Sequence, residues 1–241
     1  MVLCQRGLIR GWIPSNRNQA ARRYRTILTD IHCHVLPGID DGSPSPEVTK
    51  RMFEQAALCG VGKIIATPHA RHHVDFQAIR AAYDSVADYA KEYGIELLIG
   101  FELRFDLLLK LNAKQLQMYC GSSRNNLLIE FRNGPIPPQW EYTLCELIQS
   151  GYHVIIAHPE RYPFIQSHPE MAAEMRRYGC EMQLDALSYL ARPWDTQRKT
   201  FLKLLKSGWA DYIASDAHSP EDYTNYGIVL QKLQKRNLQE Q

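Results

Sequence analysis

Short apolar runs alternate with longer amphipathic stretches from Thr26 onward. The runs are rich in Ile, Val, Leu and Tyr, which is typical of β-strands, and each is bounded by turn-forming residues. They predict seven strands, at residues 26–32, 63–67, 96–101, 126–131, 153–158, 181–184 and 211–215. Because a helix-length stretch follows each strand, the chain is organised as seven βα units.

The stretches between the strands carry recognisable helix signals. The first helix is predicted to begin after Ser45, a good N-cap, with Pro46 at its first position and Gly60 as its stop. Six more helices are predicted, at residues 75–93, 106–116, 139–149, 169–178, 195–206 and 222–238. Repeated βα units imply parallel strands with right-handed crossovers. Seven of them favour an α/β fold of the distorted (β/α)7, TIM-like barrel type over an open doubly wound sheet.

Composition limits the class of protein. The 241 residues are 45% hydrophobic and 22% charged, as in ordinary soluble globular proteins. No apolar run approaches the roughly 18 residues of a membrane span, so we expect no stable membrane insertion and a cytoplasmic protein. Six cysteines without a CxxC pair suit reduced thiols.

Charge is distributed unevenly along the chain. Residues 1–27 contain six arginines and no acid. We expect this basic N-terminal extension to be a disordered arm or the product of a misassigned start codon, with a partner- or surface-binding arm and a targeting segment as alternatives. Residues 28–241, the predicted folded domain, carry a net charge of −4 although the whole chain has +2. A mildly acidic body argues against nucleic acid as a partner.

Metal-ligand side chains stand at the end of nearly every predicted strand. In a parallel barrel these ends meet at one face, where TIM-type barrels carry their active sites. Neither a dinucleotide-binding nor a P-loop glycine motif is present. The residues placed at this face are His32, His34, His69, Glu102, Glu130, His158, Asp216 and His218. This placement predicts a metal centre.

Two short patterns carry most of this prediction. His32 and His34 lie two positions apart in an extended segment and can reach one ion, and Asp216 with His218 supplies a second such pair. Asp41 is either part of an ordinary Asp-Gly turn or a group that leans towards the metals.

The two glutamates follow strongly apolar segments, where a carboxylate is costly unless it meets a cation. A metal ion would meet that need for Glu102 and Glu130, and an arginine such as Arg104 or Arg132 is the structural alternative.

Two arginines are candidates for binding an anionic substrate. Arg161 follows His158 by three residues, and its guanidinium can fork onto phosphate oxygens. The alternative is a surface pair between Arg161 and Glu160. Arg71 follows His69 and is expected to form a basic lip.

The remaining polar residues of the strands have secondary predicted roles. Gln183 is expected to contact the substrate or to support a metal ligand, and His153 and His168 are expected to be structural or exposed.

The motifs together resemble the polymerase-and-histidinol-phosphatase (PHP) superfamily. The segments that carry the likeness are Asp30-Ile31-His32-Cys33-His34, Pro37-Gly38-Ile39-Asp40-Asp41-Gly42, Thr67-Pro68-His69, His158-Pro159-Glu160-Arg161-Tyr162 and Ser215-Asp216-Ala217-His218. Within the superfamily they are most similar to the bacterial manganese-dependent protein-tyrosine phosphatases of capsule and exopolysaccharide loci. The likeness spans about residues 28–241.

The resemblance implies a barrel with three divalent ions, most often Mn²⁺, with Fe, Zn or Mg as alternatives. The eight strand-end residues would be ligands, Asp41 a ligand or a water-holding catalytic group, and Arg161 the phosphate-binding catalytic residue. The implied substrate is phosphotyrosine on a bacterial tyrosine kinase that controls polysaccharide export. The oligomeric state is not implied.

Two features depart from the family pattern. The basic extension precedes a His-x-His motif that usually lies near the start, and no arginine follows closely after His218, so Arg71 is expected to supply a second anion contact.

The expected chemistry is attack on phosphorus by a hydroxide generated at the metal ions, without a covalent phosphoenzyme. Three divalent ions and four carboxylates would leave a charge of about +2, which matches a phosphate dianion. Three alternatives stay open: hydrolysis of a small phosphate ester such as histidinol phosphate, a metal-dependent deacetylase or amidohydrolase, and a non-enzymatic regulator that docks the kinase.

Overall fold

Parallel strands form the inner layer of the barrel. The computed structural model describes residues 28–123 and 125–239, and the basic extension lies outside them. The strands are β1 Leu28–Cys33, β2 Val61–Ala66, β3 His69–Ala70, β4 Glu96–Ile99, β5 Glu102–Arg104, β6 Asn126–Glu130, β7 His153–Ala157, β8 Glu181–Asp185 and β9 Tyr212–Ala214. The seven predicted strands are all present, with the second and third each divided in two.

The divided strands still act as single staves of the barrel. β3 continues β2 after Thr67-Pro68, and β5 continues β4 after Gly100-Phe101. Pro68 has no N–H to donate to a ladder, which explains the first interruption. Its carbonyl still accepts from Glu102 N at 3.2 Å, and Gly100 N donates to Ala66 O at 2.8 Å, so pairing passes across both breaks.

The first and last staves close the barrel. The strand orders β1-β2-β4 and β3-β5-β6-β7-β8-β9 leave β1 and β9 as neighbours. A parallel bridge joins Cys33 to Ala217, with Asp216 N donating to His32 O and His34 N to Ala217 O, both at 2.9 Å. The predicted seven-stranded α/β barrel is confirmed.

Helices cover the outside of the barrel. They are α1 Pro46–Leu58, α2 Phe76–Glu92, α3 Phe105–Leu108, α4 Ala113–Met118, α5 Trp140–Gln149, α6 Pro163–Ser167, α7 Glu170–Tyr178, α8 Thr196–Lys206 and α9 Pro220–Gln239. Ser45 caps α1 by accepting from Val48 N, as predicted. In the described part of the chain, no helix combines the length and apolarity needed to cross a membrane.

One predicted helix is wrong. The segment 106–116 is not continuous, because Asn112 begins a new helix through a capping box with Gln115. A side chain that caps one helix cannot also stand inside the preceding one, so α3 and α4 are separate. The short helix α6 and the 3₁₀ turns Pro159–Arg161 and Ala186–Leu190 were not predicted.

A small apolar cluster fills the barrel below the strand ends. Leu128 and Ile155 pair in register with each other, and Leu128 also pairs with Glu102, so all three share the inner face. Leu128 and Ile155 pack with Ala157, Ile31 and Tyr212, apart from the larger core between strands and helices. The metal-ligand residues therefore lie over an apolar floor.

Candidate metal centre

A bulge in β1 helps to aim the His-x-His motif. The four residues from Asp30 to Cys33 lie opposite only three residues of β2, Ile64 to Ala66. Such a bulge re-aims the side chains around it. Ile31 joins the apolar floor, Cys33 packs into the outer core, and His32 and His34 are both buried among the other candidate ligands.

All nine predicted ligands converge at the C-terminal ends of the strands. They form four overlapping groups in which one ligand atom per residue lies within 4.8 Å of the others. The groups are His34-Asp41-His69-His218, His32-Glu102-His158, His32-His34-Asp216 and His69-Glu102-Glu130. We call these nine residues the metal centre. Their roles as ligands stay predictions, and the structure brings all nine together at this face.

The inner part of the metal centre is fully buried. His158 Nε2 lies 2.7 Å from Glu102 Oε1, and His32 Nε2 lies 3.5 Å from the same oxygen. On the other side, Asp216 Oδ1 is 3.2 Å from the Nε2 atoms of both His32 and His34. Two carboxylates thus hold three imidazole nitrogens within the span of a few coordination bonds.

The outer part opens towards solvent. The Asp41 side chain is 62% exposed, and its Oδ1 lies 3.0 Å from His69 Nε2 and 3.6 Å from His218 Nε2. His218 stacks on His34 with ring centroids 4.1 Å apart, which links the outer and inner parts. Asp41 is therefore the accessible carboxylate at the mouth.

Several buried polar atoms of the centre have no hydrogen-bond partner. They include Glu102 Oε2, Glu130 Oε2 and His69 Nδ1, which belong to one group. His69 Nδ1 and Glu102 Oε2 lie 2.5 Å apart without hydrogen-bond geometry. A buried carboxylate oxygen left unpaired is costly, and a divalent cation would satisfy it. A donor set of imidazole and carboxylate groups without thiolate fits Mn, Fe or Zn, and Mg less well.

Supporting residues fix the orientation of two histidines. Asp40 Oδ2 accepts from His34 Nδ1 at 2.7 Å, and Gln183 Oε1 accepts from His32 Nδ1 at 2.8 Å. With Nδ1 carrying the proton, each ring presents the lone pair of Nε2 to the centre. The supporting role predicted for Gln183 agrees with its contact to His32. The contact of Asp40 with His34 was not predicted, because only its neighbour Asp41 had been expected to lean towards the metals.

The acids control the charge of the histidines. Burial alone would lower the pKa of His34, but Asp216, Asp40 and Glu102 raise it to about 10. Burial likewise opposes charge on His32, and Asp216 with Glu102 raises its pKa to about 9. Burial would raise the pKa of Glu102, but His32 and His158 hold it well below its usual range. The carboxylates thus favour positive charge at the centre, either on the histidines or on a bound metal ion.

Backbone strain is confined to two residues of the centre. Among the described residues other than glycine, positive φ occurs at His158 (32°) and Asp216 (48°). Such conformations cost free energy in residues with a Cβ and are concentrated at functional sites. Each residue turns the chain where its strand ends, which directs its side chain inward.

Two arginines flank the centre. Arg161 Nη2 lies 2.6 Å from Asp185 Oδ2 and 2.7 Å from Asp216 Oδ2, so the surface pair with Glu160 is not formed. Burial would lower the pKa of Arg161, and Asp185 with Asp216 raises it. Arg71 Nη2 lies 2.8 Å from His69 Nε2, and its Nε lies 3.6 Å from Glu130 Oε2.

The other residues considered in the sequence lie outside the metal centre. Arg104 and Arg132 both pair with Asp106, at 2.6 Å each, and so do not neutralise the glutamates. His153 and His168 are exposed, as predicted. Asp185 was not predicted, since nothing in the sequence links residue 185 to Arg161 before the fold brings them together.

Comparisons with known proteins agree with this geometry. The family model described as capsular polysaccharide synthesis, CpsB/CapC, matches residues 28–227. Tyrosine-protein phosphatase YwqE of Bacillus subtilis is 31% identical over 198 residues, which cover 80% of this chain and 78% of the relative. Tyrosine-protein phosphatase CpsB of Streptococcus pneumoniae is 26% identical over 230 residues, which cover 88% and 94%.

Solved structures show the same architecture. A crystal structure from work on YwqE of B. subtilis and CpsB of S. pneumoniae, described as metal-dependent tyrosine phosphatases, superposes with a TM-score of 0.72. It is 27% identical, and the match covers 85% of this chain and 87% of that one. A lactonase of Listeria monocytogenes shares the fold at a TM-score of 0.54 and 15% identity.

Proposed function

The chain belongs to the CpsB/CapC family of capsular polysaccharide synthesis, and from this premise we propose that it is a metal-dependent protein-tyrosine phosphatase. Its substrate would be phosphotyrosine on a bacterial tyrosine kinase that regulates capsule or exopolysaccharide synthesis in the cytoplasm. The observation that carries the proposal is the ring of nine nitrogen and oxygen donors, with Arg161 on one side and Arg71 on the other.

The nine residues would hold three divalent ions, with Mn²⁺ as the first choice. Four residues, His32, His34, His69 and Glu102, each belong to two of the four groups. The Nδ1 atoms of His32 and His34 are engaged by Gln183 and Asp40, so each ring has one nitrogen for a metal. Groups that share such a nitrogen cannot both be filled, which supports three ions over four.

When bound, such ions lower the pKa of a coordinated water and stabilise negative charge on phosphate oxygens. The side chains would do the rest. Arg161 would donate to equatorial phosphate oxygens from one side and Arg71 from the other. Asp41, exposed at the mouth, would supply the proton for the departing tyrosine oxygen.

No covalent intermediate on a cysteine is required. Cys33 is fully buried, and burial raises the pKa of its thiol well above the usual range. A thiol in that state is a poor nucleophile. Cys33 also packs into the outer core.

The exposure of the mouth favours a protein substrate over a small metabolite. Asp41 is 62% exposed, Arg71 is 38% exposed and His218 is 32% exposed, so a tyrosine displayed on another chain can reach the centre. A pocket for a small metabolite would instead enclose most of the surface of that ligand. The two flanking arginines argue against a deacetylase, whose substrate lacks the matching anion.

The test is phosphate release from a phosphotyrosine peptide by metal-stripped protein with and without added Mn²⁺. We expect release only with the metal, survival of activity after thiol alkylation, and loss of activity in His32→Ala. His153→Ala is the matched control, because His153 is an exposed histidine on a strand of the same barrel outside the metal centre. Faster turnover of histidinol phosphate than of the peptide would contradict the substrate assignment. No release with any divalent ion, from folded protein, would contradict the enzymatic role.

A further inference from the structure

Asp185 is a buried carboxylate, and the metal centre alone does not explain its burial. It ends β8, is 1% exposed, and is a carboxylate outside the nine residues of the centre. A buried carboxylate is costly unless it is paired and hydrogen-bonded. Its partner is the guanidinium of Arg161, at 2.6 Å.

We propose that Asp185 is the positioning residue for Arg161, and thereby for the phosphate that Arg161 binds. This inference rests on the proposed function, in which Arg161 donates to phosphate. Asp185 acts through Arg161 and touches neither substrate nor metal.

The division of the hydrogen-bond donors supports this role. Asp185 and Asp216 both contact Arg161 through the same nitrogen, Nη2. A guanidinium has five N–H groups, of which Nη2 carries two. Two carboxylates on Nη2 therefore leave the three N–H groups of Nη1 and Nε for an anion. This arrangement anchors one corner of the guanidinium in a side chain that is 35% exposed overall.

Asp185 and the predicted metal ligand Asp216 both hold Arg161. Asp216 gives Oδ2 to Arg161 and keeps Oδ1 at 3.2 Å from His32 Nε2 and His34 Nε2. Without Asp185, Arg161 would have one carboxylate, Asp216, within salt-bridge distance among the described residues. The guanidinium would then follow Asp216 and lose its second point of attachment.

Asp185 is itself held firmly. Its Oδ1 accepts from Leu187 N at 2.8 Å, which fixes the carboxylate at the start of the 3₁₀ turn Ala186–Leu190. Its backbone N donates to Glu160 Oε1 at 2.9 Å, and Ser188 Oγ lies 3.0 Å from its Oδ2. A side chain restrained at both oxygens can transmit that restraint to its partner.

The decisive variant is Asp185→Asn, which has the same shape and can still cap the turn but lacks the charge. In metal-loaded protein we expect kcat/KM on the phosphotyrosine peptide to fall roughly 10- to 100-fold, and the affinity for inorganic phosphate to fall about tenfold. Metal content should not change. Asp195→Asn is the matched control: Asp195 caps α8 through Gln197 N at 2.9 Å, and it should leave both quantities unchanged.

A double-mutant cycle separates positioning from general stability. If Asp185 acts through Arg161, Asp185→Asn should cause no further loss of activity or phosphate affinity in the Arg161→Ala background. It should instead raise the melting temperature there, because it removes a buried charge left without its partner. Equal losses in both backgrounds, or unchanged phosphate affinity in Asp185→Asn, would overturn the inference. Phosphate binding reports on it even if the peptide is not a substrate, so its failure is distinct from failure of the proposed function.

Discussion

Replacing Asp40 tests how the protein keeps His34 aimed at the metal centre. The carboxylate accepts three hydrogen bonds, from His34 Nδ1 at 2.7 Å, His69 N at 3.0 Å and Gly42 N at 3.0 Å. The first two share Oδ2, and the third uses Oδ1. A carboxylate can accept at both ends, whereas an amide has one accepting oxygen.

The two substitutions of Asp40 should therefore differ in size. In Asp40→Asn the oxygen can face His34 and His69, and only the bond from Gly42 is lost, at a cost of about 1.5 kcal/mol. His34 keeps its acceptor but the acceptor loses its charge, and we expect a metal affinity about tenfold weaker. In Asp40→Ala the His34 ring loses its hydrogen-bond acceptor at Nδ1, and we expect about a hundredfold weaker affinity.

The assay is calorimetric titration of metal-free protein with Mn²⁺, checked by the shift of the melting temperature with metal. A tenfold loss of affinity removes about 1.4 kcal/mol of metal-dependent stabilisation at a fixed excess of metal. Asp88→Asn, on the exposed face of α2, is the control that should change nothing. Equal affinity in wild type and Asp40→Ala, with the fold intact, would refute the reasoning.

Acidity gives an independent check on the same contact. Burial would raise the pKa of Asp40, but the hydrogen bond from His34 lowers it to about 2. A lowered carboxyl pKa stabilises the fold above pH 4 or so, and this stabilisation is lost as the pH falls through about 2. The raised pKa of His34 describes partly the same interaction, so the two effects are not added.

Two further predictions concern the same region. Because the pKa values of His32 and His34 are raised to about 9 and 10, both rings carry protons at pH 7 without metal, and Mn²⁺ binding should release them and strengthen as the pH rises; titration in two buffers of different ionisation enthalpy measures the release, and none would contradict the charge assignment. In metal-free protein their stabilising contribution is complete below about pH 6.5 and is lost as the pH rises through 9 to 10. In Gly42→Ala the new Cβ would lie 2.2 Å from His34 O, which should displace the loop, lower stability by about 1–3 kcal/mol and weaken Mn²⁺ binding. Gly134→Ala, with nothing within 4 Å of its Cβ, is the control, and equal melting temperatures for the two would count against a close approach at Gly42.

Periodicity predicted the barrel because parallel strands buried on both faces are short and strongly apolar. His153–Ala157 is an example, with four consecutive buried residues. The same signal failed at residues 106–116, where apolar spacing continues through Asn112 although that side chain starts a new helix. Local capping chemistry overrides periodicity there, since Asn112 and Gln115 satisfy each other's backbone groups.

Ligand-type residues at strand ends were predictable, because the barrel fixes where those ends meet. The residues that orient them were not. Asp40 and Asp41 are adjacent and chemically identical, yet one is turned inward onto His34 and the other stands exposed at the mouth. Asp185 meets Arg161 across a separation of 24 residues, which only the registered pairing of β7 and β8 determines.

The bridge between Cys33 and Ala217 has a consequence for synthesis of the protein. Predicted ligands stand on both sides of this seam, His32 and His34 on the first strand and Asp216 just beyond the last. A chain emerging from the ribosome therefore exposes its first two ligands early but lacks Asp216, which lies 3.2 Å from both of them, until nearly the whole barrel has been made. We therefore expect a chain that ends before Asp216 to lack hydrolytic activity.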